Sequence, residues 1–302
     1  RDEVPALSYF EHIDDLDLLR AVVLLENQVP TQGNIVKLGP DQIKRQWDSL
    51  IRNTERALDF VQNECIFDAQ RLPVERILPA LFSLWTFVPE GGIEEGNARR
   101  VLRKYMWRAF LSERYERGGM TPVLQDFRAL RDHLQGRDSK VPCFDENIAP
   151  LPETANELIN VGSPKKRIRL ARALLCMTFR KGAKDIHDGK SINRENIRER
   201  EYHHLFPVGY LRENYPDETP DLALNFALVT WKTNRTVGSK SPAEYLDNAT
   251  QRDGGKDELI ALLNSHLVPV EPFFSGDYAE FLKQRAELMF EGIQHLVEGE
   301  DW

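Results

Sequence analysis

The most informative stretch of this chain is residues 201–207, which read Glu-Tyr-His-His-Leu-Phe-Pro. Aromatic and branched residues over 202–206 predict a short β-strand, and residues 224–231 predict a second one. On an ideal strand the adjacent side chains of His203 and His204 face opposite sides of the sheet. At a strand end or a bulge, one imidazole can bind a metal ion while the other addresses a substrate. Adjacent histidines are otherwise usually structural or surface residues, so both interpretations stay open at this point.

Helical spacing of apolar residues dominates the rest of the chain and predicts a mainly α fold. The helices are expected over about 13–26, 40–61, 73–87, 101–111, 121–134, 163–180, 256–266 and 277–297. Pro79 falls inside one of these segments, which predicts either a kink or a later helix start.

Residues 136–153 are the best candidate for a linker, because they contain Gly136 and three prolines and show weak periodicity. The sequence therefore predicts a helical scaffold domain over 1–135 and a second domain over 154–302, whose core lies at about 185–250.

The composition excludes several classes of protein. Of 302 residues, 41% are hydrophobic and 29% are charged, which is typical of a soluble globular protein. No apolar run approaches the ~20 residues of a membrane-spanning helix. Three widely spaced cysteines predict reduced thiols, not a disulfide framework or a structural zinc site. With no visible secretory signal, a cytoplasmic protein is expected.

Charge is distributed unevenly along the chain. The net charge is −8, yet residues 163–200 carry 12 Lys or Arg against 4 Asp or Glu. A basic segment inside an acidic protein is what a phosphate backbone attracts, although a solvated helix face is the commoner explanation of such a run. The predicted DNA contacts are Lys165, Lys166, Arg167, Arg169, Arg172, Lys232, Arg235 and Lys240.

Several motifs together resemble a known family. His-His-Leu-Phe-Pro is followed about twenty residues later by Asn225-x-x-Leu-Val and then by Asn234. This pattern resembles the HNH, or ββα-metal, nuclease motif. With residues 239–246 and the helical stretch 107–115, it resembles the C-terminal part of GmrSD-like restriction and phage-defence proteins.

The resemblance implies a role for each motif residue. His203 corresponds to one metal ligand, which is often Asp in the family, and Asn234 to the other. His204 corresponds to the general base, and Asn225 to the residue that holds the base in orientation. The implied cofactor is one divalent cation, most commonly Mg²⁺. Histidine in place of Asp makes Mn²⁺ or another transition metal more acceptable.

The implied activity is metal-dependent hydrolysis of DNA phosphodiester bonds, by nicking or double-strand cleavage, in a restriction or anti-phage protein. Histidine suits the role of base because its ordinary pKa is about 6.5. The family also carries a nucleotide-dependent N-terminal region. This chain begins at Arg1 and has no GxxxxGK[ST] loop, so that region is expected to be missing from it.

Two rival functions remain open from sequence. One is a catalytically inactive module that only binds DNA. The other is a helical scaffold that binds a protein partner through its acidic helices, with the histidine pair in a structural role.

Overall fold

The structure is a computed structural model that describes residues 15–186, 189–230, 241–242, 244 and 255–302. The α-helices are α1 (Asp15–Leu25), α2 (Gln32–Val36), α3 (Pro40–Asn63), α4 (Leu78–Leu84), α5 (Gly92–Leu111), α6 (Thr121–Leu134), α7 (Asn156–Ile159), α8 (Arg169–Arg180), α9 (Val208–Asn214), α10 (Gly255–Ser265), α11 (Val270–Ser275) and α12 (Tyr278–Leu296). The strands β1 (Arg200–His204) and β2 (Phe226–Thr230) form a two-stranded antiparallel sheet. The predicted mainly α class is confirmed.

The helices and the cysteines agree with the expectations from composition. None of the described helices is long and apolar enough to cross a membrane. The three cysteines, Cys65, Cys143 and Cys176, are free thiols, as predicted.

The chain divides into two compact units. The first runs to Leu151 and includes His295–Asp301, and the second comprises Pro152–Gln294 and Trp302. The helical N-terminal half and the strand-containing half therefore separate at residues 151 and 152, inside the segment predicted to be a linker.

Part of that predicted linker packs onto the first unit. The carboxylate of Asp126 in α6 is fully buried, and its Oδ1 accepts a hydrogen bond from the backbone N–H of Cys143 at 3.0 Å. Tyr115 and Arg114 also donate to Asp126, at 2.6 Å each. Cys143 and Ala149 have no exposed surface, so this part of the segment is anchored to the first unit at these two positions.

Helix α4 forms the centre of the first unit, because all of its residues are buried. It packs against α1, α3 and α6. The hydroxyl of Ser83 donates to the carbonyl of Ala21 in α1 at 3.0 Å, so it has a partner within the core. Pro79 lies in the first turn of α4, which makes the later helix start the correct alternative for this proline.

In the second unit, helix α8 begins at Arg169 and not at residue 163. The hydroxyl of Ser163 accepts from the N–H of Lys165 at 3.2 Å and caps only a short 3₁₀ turn. Arg167 ends this turn in the left-handed conformation, with φ at 59°. The cations at 165–167 therefore precede the helix and are not part of it.

Helix α12 supports the end of the sheet that carries the histidine pair. The buried ring of Phe206, just after β1, lies 5.0 Å from the ring of Tyr278 and 4.8 Å from that of Phe281. The guanidinium of Arg285 donates to the carbonyl of Phe226, the first residue of β2, at 3.2 Å. These contacts fix the position of both strands near His204.

Candidate active site

The two adjacent histidines occupy the end of β1 and face opposite sides of the sheet. His203 pairs with Ala227 and His204 with Phe226 across the antiparallel ladder. Their surroundings differ: His203 is 4% exposed, whereas the side chain of His204 is 16% exposed. The strand geometry therefore separates the two imidazoles, as expected from their adjacency.

The imidazole of His204 is held by a carboxylate and an aromatic ring. Its Nε2 lies 3.1 Å from Oδ1 of Asp221, which is half exposed. Its ring centroid lies 4.4 Å from that of Phe226. Asp221 fixes one ring nitrogen, and among the described residues no hydrogen-bond partner engages the other, Nδ1. The arrangement thus orients the imidazole while leaving one nitrogen for a substrate or water.

The environment keeps His204 neutral near pH 7. Burial is the largest effect and lowers the pKa of His204 below its ordinary value, and the nearby charge of Lys165 lowers it further. The hydrogen bond that the imidazole donates to Asp221 acts in the opposite direction and only partly offsets burial. A neutral imidazole can accept a proton, which is the state that a general base requires.

Asn225 positions the backbone beside both members of the His204–Asp221 pair. Its backbone carbonyl accepts from the N–H of Leu205, the residue after His204, at 2.8 Å. Its side-chain Nδ2 donates to the carbonyl of Pro220, the residue before Asp221, at 3.0 Å. The same amide exchanges two hydrogen bonds with the backbone of Phe206, at 2.8 and 3.0 Å.

These bonds explain why an amide side chain suits this position. Asn225 is fully buried and uses both its carbonyl oxygen and its NH₂ group, a combination that Asp cannot provide when ionised. The side chain bonds to backbone groups and not to the imidazole. Any influence of Asn225 on His204 therefore passes through the main chain.

The predicted metal pair is only partly within the described residues. His203 is buried on the side of the sheet opposite His204, and Asn234 lies outside the described residues. Nowhere in the described ranges do three or more His, Cys, Asp or Glu side chains come together so that they could hold a metal ion. The residues that the structure describes therefore supply one predicted ligand, His203, and do not by themselves assemble a metal site.

The side of the sheet occupied by His203 carries a second buried histidine. Burial lowers the pKa of His266 to about 4, so its ring is neutral, and the charge of Arg285 acts in the same direction. Its Nε2 donates to the carbonyl of Lys184 at 2.6 Å, which leaves Nδ1 unprotonated and buried without a hydrogen-bond partner.

The predicted DNA-binding residues fall into three groups. Lys165, Lys166 and Arg167 are exposed, and the ammonium of Lys165 lies 5.0 Å from the centre of the Phe226 ring that also contacts His204. Positive charge therefore stands beside the candidate base. Three further predicted contacts, Lys232, Arg235 and Lys240, lie outside the described residues.

Arg169 and Arg172, on α8, form the third group. Arg169 is half-buried, and Arg172 is only 6% exposed. Every residue from Ala171 to Phe179 is buried, because this part of α8 lies in the core of the second unit. The side chain of Arg172 therefore belongs to the interior, and its predicted contact with DNA stays a prediction.

Sequence reasoning missed Asp221 and did not use Asp185. Asp185 is fully buried, and its Oδ2 accepts from the guanidinium of Arg200 at 2.7 Å and from the N–H of Thr230 at 2.6 Å. It thereby holds the two strands together at the end away from His204. Neither aspartate belongs to a repeated or periodic pattern, so no sequence signal marks its partner.

No protein-family model matches the chain, and no curated protein matches it.

Proposed function

We propose that this protein is a metal-dependent endonuclease that hydrolyses DNA phosphodiester bonds, with His204 as the general base of an HNH-type ββα-metal core. One observation supports this most: a neutral, partly exposed imidazole at a strand end is hydrogen-bonded to Asp221 and lies beside the cation Lys165. The antiparallel β1–β2 pair is compatible with the two strands of such a core.

The chain's own residues would act in a defined order. Lys165 and its exposed neighbours Lys166 and Arg167 attract the phosphate backbone, since phosphate contacts position DNA without reading its sequence. The neutral imidazole of His204 takes a proton from the attacking water, a step that typically contributes ~10²–10⁴-fold. The Asp221 carboxylate then stabilises the resulting imidazolium through the hydrogen bond at Nε2.

The resemblance in sequence adds to the proposal one divalent cation, Mg²⁺ or Mn²⁺, with His203 and Asn234 as its implied ligands, although the burial of His203 on the side of the sheet opposite His204 does not support this pair. Such an ion would neutralise charge on the phosphate and on the leaving oxygen. A role as the effector part of a restriction or anti-phage protein is proposed from the resemblance in sequence alone.

A plasmid-nicking assay with Mg²⁺ and with Mn²⁺ tests the proposal. We expect cleavage by the wild type and loss of at least about 10²-fold in rate for His204→Ala. His133→Ala is a matched control, because His133 is an exposed helical histidine, and we expect it to cleave at the wild-type rate.

The other outcomes separate the rival functions. DNA binding without cleavage by either the wild type or His204→Ala would favour an inactive binding module. No DNA affinity at low salt would favour a protein-interaction scaffold. Isothermal titration of Mn²⁺ into His203→Ala and Asn234→Ala tests the ligand pair, and unchanged affinity in both variants would reject it.

A further inference from the structure

The first unit contains a basic helix surface that the sequence analysis did not identify. Within two turns, α5 carries the cations Arg99, Arg100, Arg103 and Lys104. Arg100, Arg103 and Lys104 share one side of the helix, because residues three and four apart are neighbours on its surface. The acidic segment, defined as residues 298–301, lies against this surface within the same unit.

Ion pairs join the acidic segment to α5 along its length. The ammonium of Lys104 lies 2.6 Å from a carboxylate oxygen of Glu298, and the guanidinium of Arg103 lies 2.9 Å from one of Asp301. Arg100 and Glu300 approach to 3.7 Å. The acidic segment thus places one carboxylate opposite each of three cations.

A glycine permits this close approach. Gly299 has φ at 73°, and a Cβ atom at this position would lie 2.3 Å from the carbonyl oxygen of Arg100. Its own carbonyl accepts from Arg103 at 3.3 Å. A residue with a Cβ atom at position 299 would push the acidic segment away from α5, so the contact requires glycine there.

An open cleft of about 510 Å³ lies between α5 and the acidic segment. Arg99, Arg100 and Arg103 line one side, and Glu300 and Asp301 line the other. In this cleft, three guanidinium groups therefore face two carboxylates.

The two best-placed arginines differ in how firmly they are held. The Nε of Arg103 donates at 2.8 Å to Glu64, whose side chain is 2% exposed, so this guanidinium is fixed by a buried partner. Arg100 is 62% exposed and its pair with Glu300 is long. Exposed ion pairs contribute little free energy. An incoming anion would compete with the long Arg100–Glu300 pair and with the 2.9 Å pair of Arg103 and Asp301, and it would leave Glu300 its other partner, Nδ1 of His295 at 3.0 Å.

We propose that this cleft binds phosphate groups of a DNA backbone, and that Glu300 and Asp301 occupy it in the unbound protein as exchangeable substitutes for phosphate. Guanidinium groups bind carboxylate and phosphate with the same two-pronged geometry. The three arginines of the cleft spread over about 6 Å of helix, and one of them, Arg99, is also paired with Glu95 at 2.7 Å. The identification of the polyanion as DNA rests on the proposed function, whereas the binding of phosphate groups does not.

Fluorescence anisotropy with a labelled DNA duplex, in EDTA and over a series of salt concentrations, tests this site. We expect E300Q/D301N to bind about fivefold more tightly than wild type, because the internal competitor is weakened. R100Q should bind more weakly, with a salt dependence reduced by about one phosphate contact. Arg100 is chosen over Arg103 because it is 62% exposed, whereas Arg103 is bound to the buried carboxylate of Glu64 and its replacement would also disturb the core.

The matched control is D48N/E113Q, which removes two exposed carboxylates of the same unit that do not line the cleft. Equal affinities for E300Q/D301N and this control would overturn the proposal, as would an unchanged salt dependence in R100Q. Binding of pyrophosphate but not of DNA would also overturn it.

The affinity measurement does not depend on nuclease activity. Since EDTA prevents metal-dependent cleavage, the same series in a His204→Ala background should give the same affinity changes. Those changes without any cleavage in Mg²⁺ would reject the proposed nuclease and keep the phosphate site. Cleavage in Mg²⁺ without the affinity changes would reject the phosphate site and support the proposed nuclease.

Discussion

His204 and Asp221 form a hydrogen-bonded pair, with Nε2 of the imidazole 3.1 Å from Oδ1 of the carboxylate. The pair joins the end of β1 to the loop that precedes β2. Asn225 bonds to the backbone next to each member, at Leu205 and at Pro220. The geometry of the candidate base therefore depends on a buried amide that touches neither partner's side chain.

Removal of the carboxylate should change the pH dependence of cleavage. Asp221 raises the pKa of His204 against the effect of burial, so Asp221→Ala should lower that pKa further. With a lower pKa, the imidazole stays unprotonated to lower pH, so we expect the acidic limb of the pH–rate profile to shift to lower pH. The imidazole is also a weaker base, so we expect the plateau rate of cleavage to fall about tenfold. Cleavage rates across pH and an NMR titration of His204 measure the two effects.

Asp217→Ala is the control for this prediction, because Asp217 is an exposed carboxylate in the same loop. Its pH profile should match that of the wild type. An NMR pKa for His204 that is identical in Asp221→Ala and the wild type would contradict the assigned role of the carboxylate.

Asn225→Asp should destabilise the fold strongly. The side chain is fully buried and donates to the carbonyls of Phe206 and Pro220, and an ionised Asp offers no donor to either. Unpaired buried carbonyls and a buried charge together should lower the free energy of unfolding by about 3 kcal/mol or more. Urea denaturation at neutral pH measures this change.

Asn214→Asp is the comparison for that measurement. Asn214 is exposed, and its side chain donates to one backbone carbonyl, that of Tyr210, at 2.9 Å. Its loss should cost at most about 1 kcal/mol. A similar decrease in the free energy of unfolding in the two variants would contradict the assigned role of the Asn225 hydrogen bonds.

Local patterns in the sequence were enough to predict most helices and both strands. The strands expected at 202–206 and 224–231 lie at Arg200–His204 and Phe226–Thr230. These elements are recognisable because apolar periodicity and branched residues act over a few neighbouring positions. The start of α8 was wrong because the Ser-Pro signal caps a 3₁₀ turn, which Arg167 then ends.

The candidate site was less predictable, for a physical reason. The adjacency of His203 and His204 already implied opposite faces, but Asp221 comes from a loop whose position is set by Asn225 and the backbone of Phe206. The burial of Arg172 likewise depends on which side of α8 lies in the core. Such partners follow from tertiary packing, which a single sequence does not encode as a local pattern.

The buried ring of His266 should make stability depend on pH. Its pKa is about 4 in the folded protein and about 6.5 in the unfolded chain, so the unfolded state binds more protons between these values. Its contribution is fully present above about pH 6.5 and is lost as the pH falls towards 4, by up to about 3 kcal/mol. Urea unfolding at several pH values in this window measures the slope.

His266→Gln tests the assignment, since the Gln amide can still donate to the carbonyl of Lys184. The variant should lose part of the pH dependence between about 6.5 and 4, while His133→Gln, at an exposed position, should keep the wild-type slope. Equal slopes in all three proteins would assign the acid sensitivity of the fold to other groups.

Lys165 and Arg172 should behave differently although both belong to the same basic stretch. Lys165 is exposed beside His204, so Lys165→Gln should weaken DNA binding and reduce the salt dependence by about one phosphate contact, without a change in stability. Arg172 is 6% exposed, so Arg172→Gln should lower the free energy of unfolding by about 1–3 kcal/mol and leave the salt dependence unchanged. Anisotropy titrations over a salt series, paired with urea denaturation of the same samples, separate the two effects. If Arg172→Gln folded with wild-type stability and reduced the salt dependence, Arg172 would have to reach the DNA, and its burial in α8 could not describe the bound state.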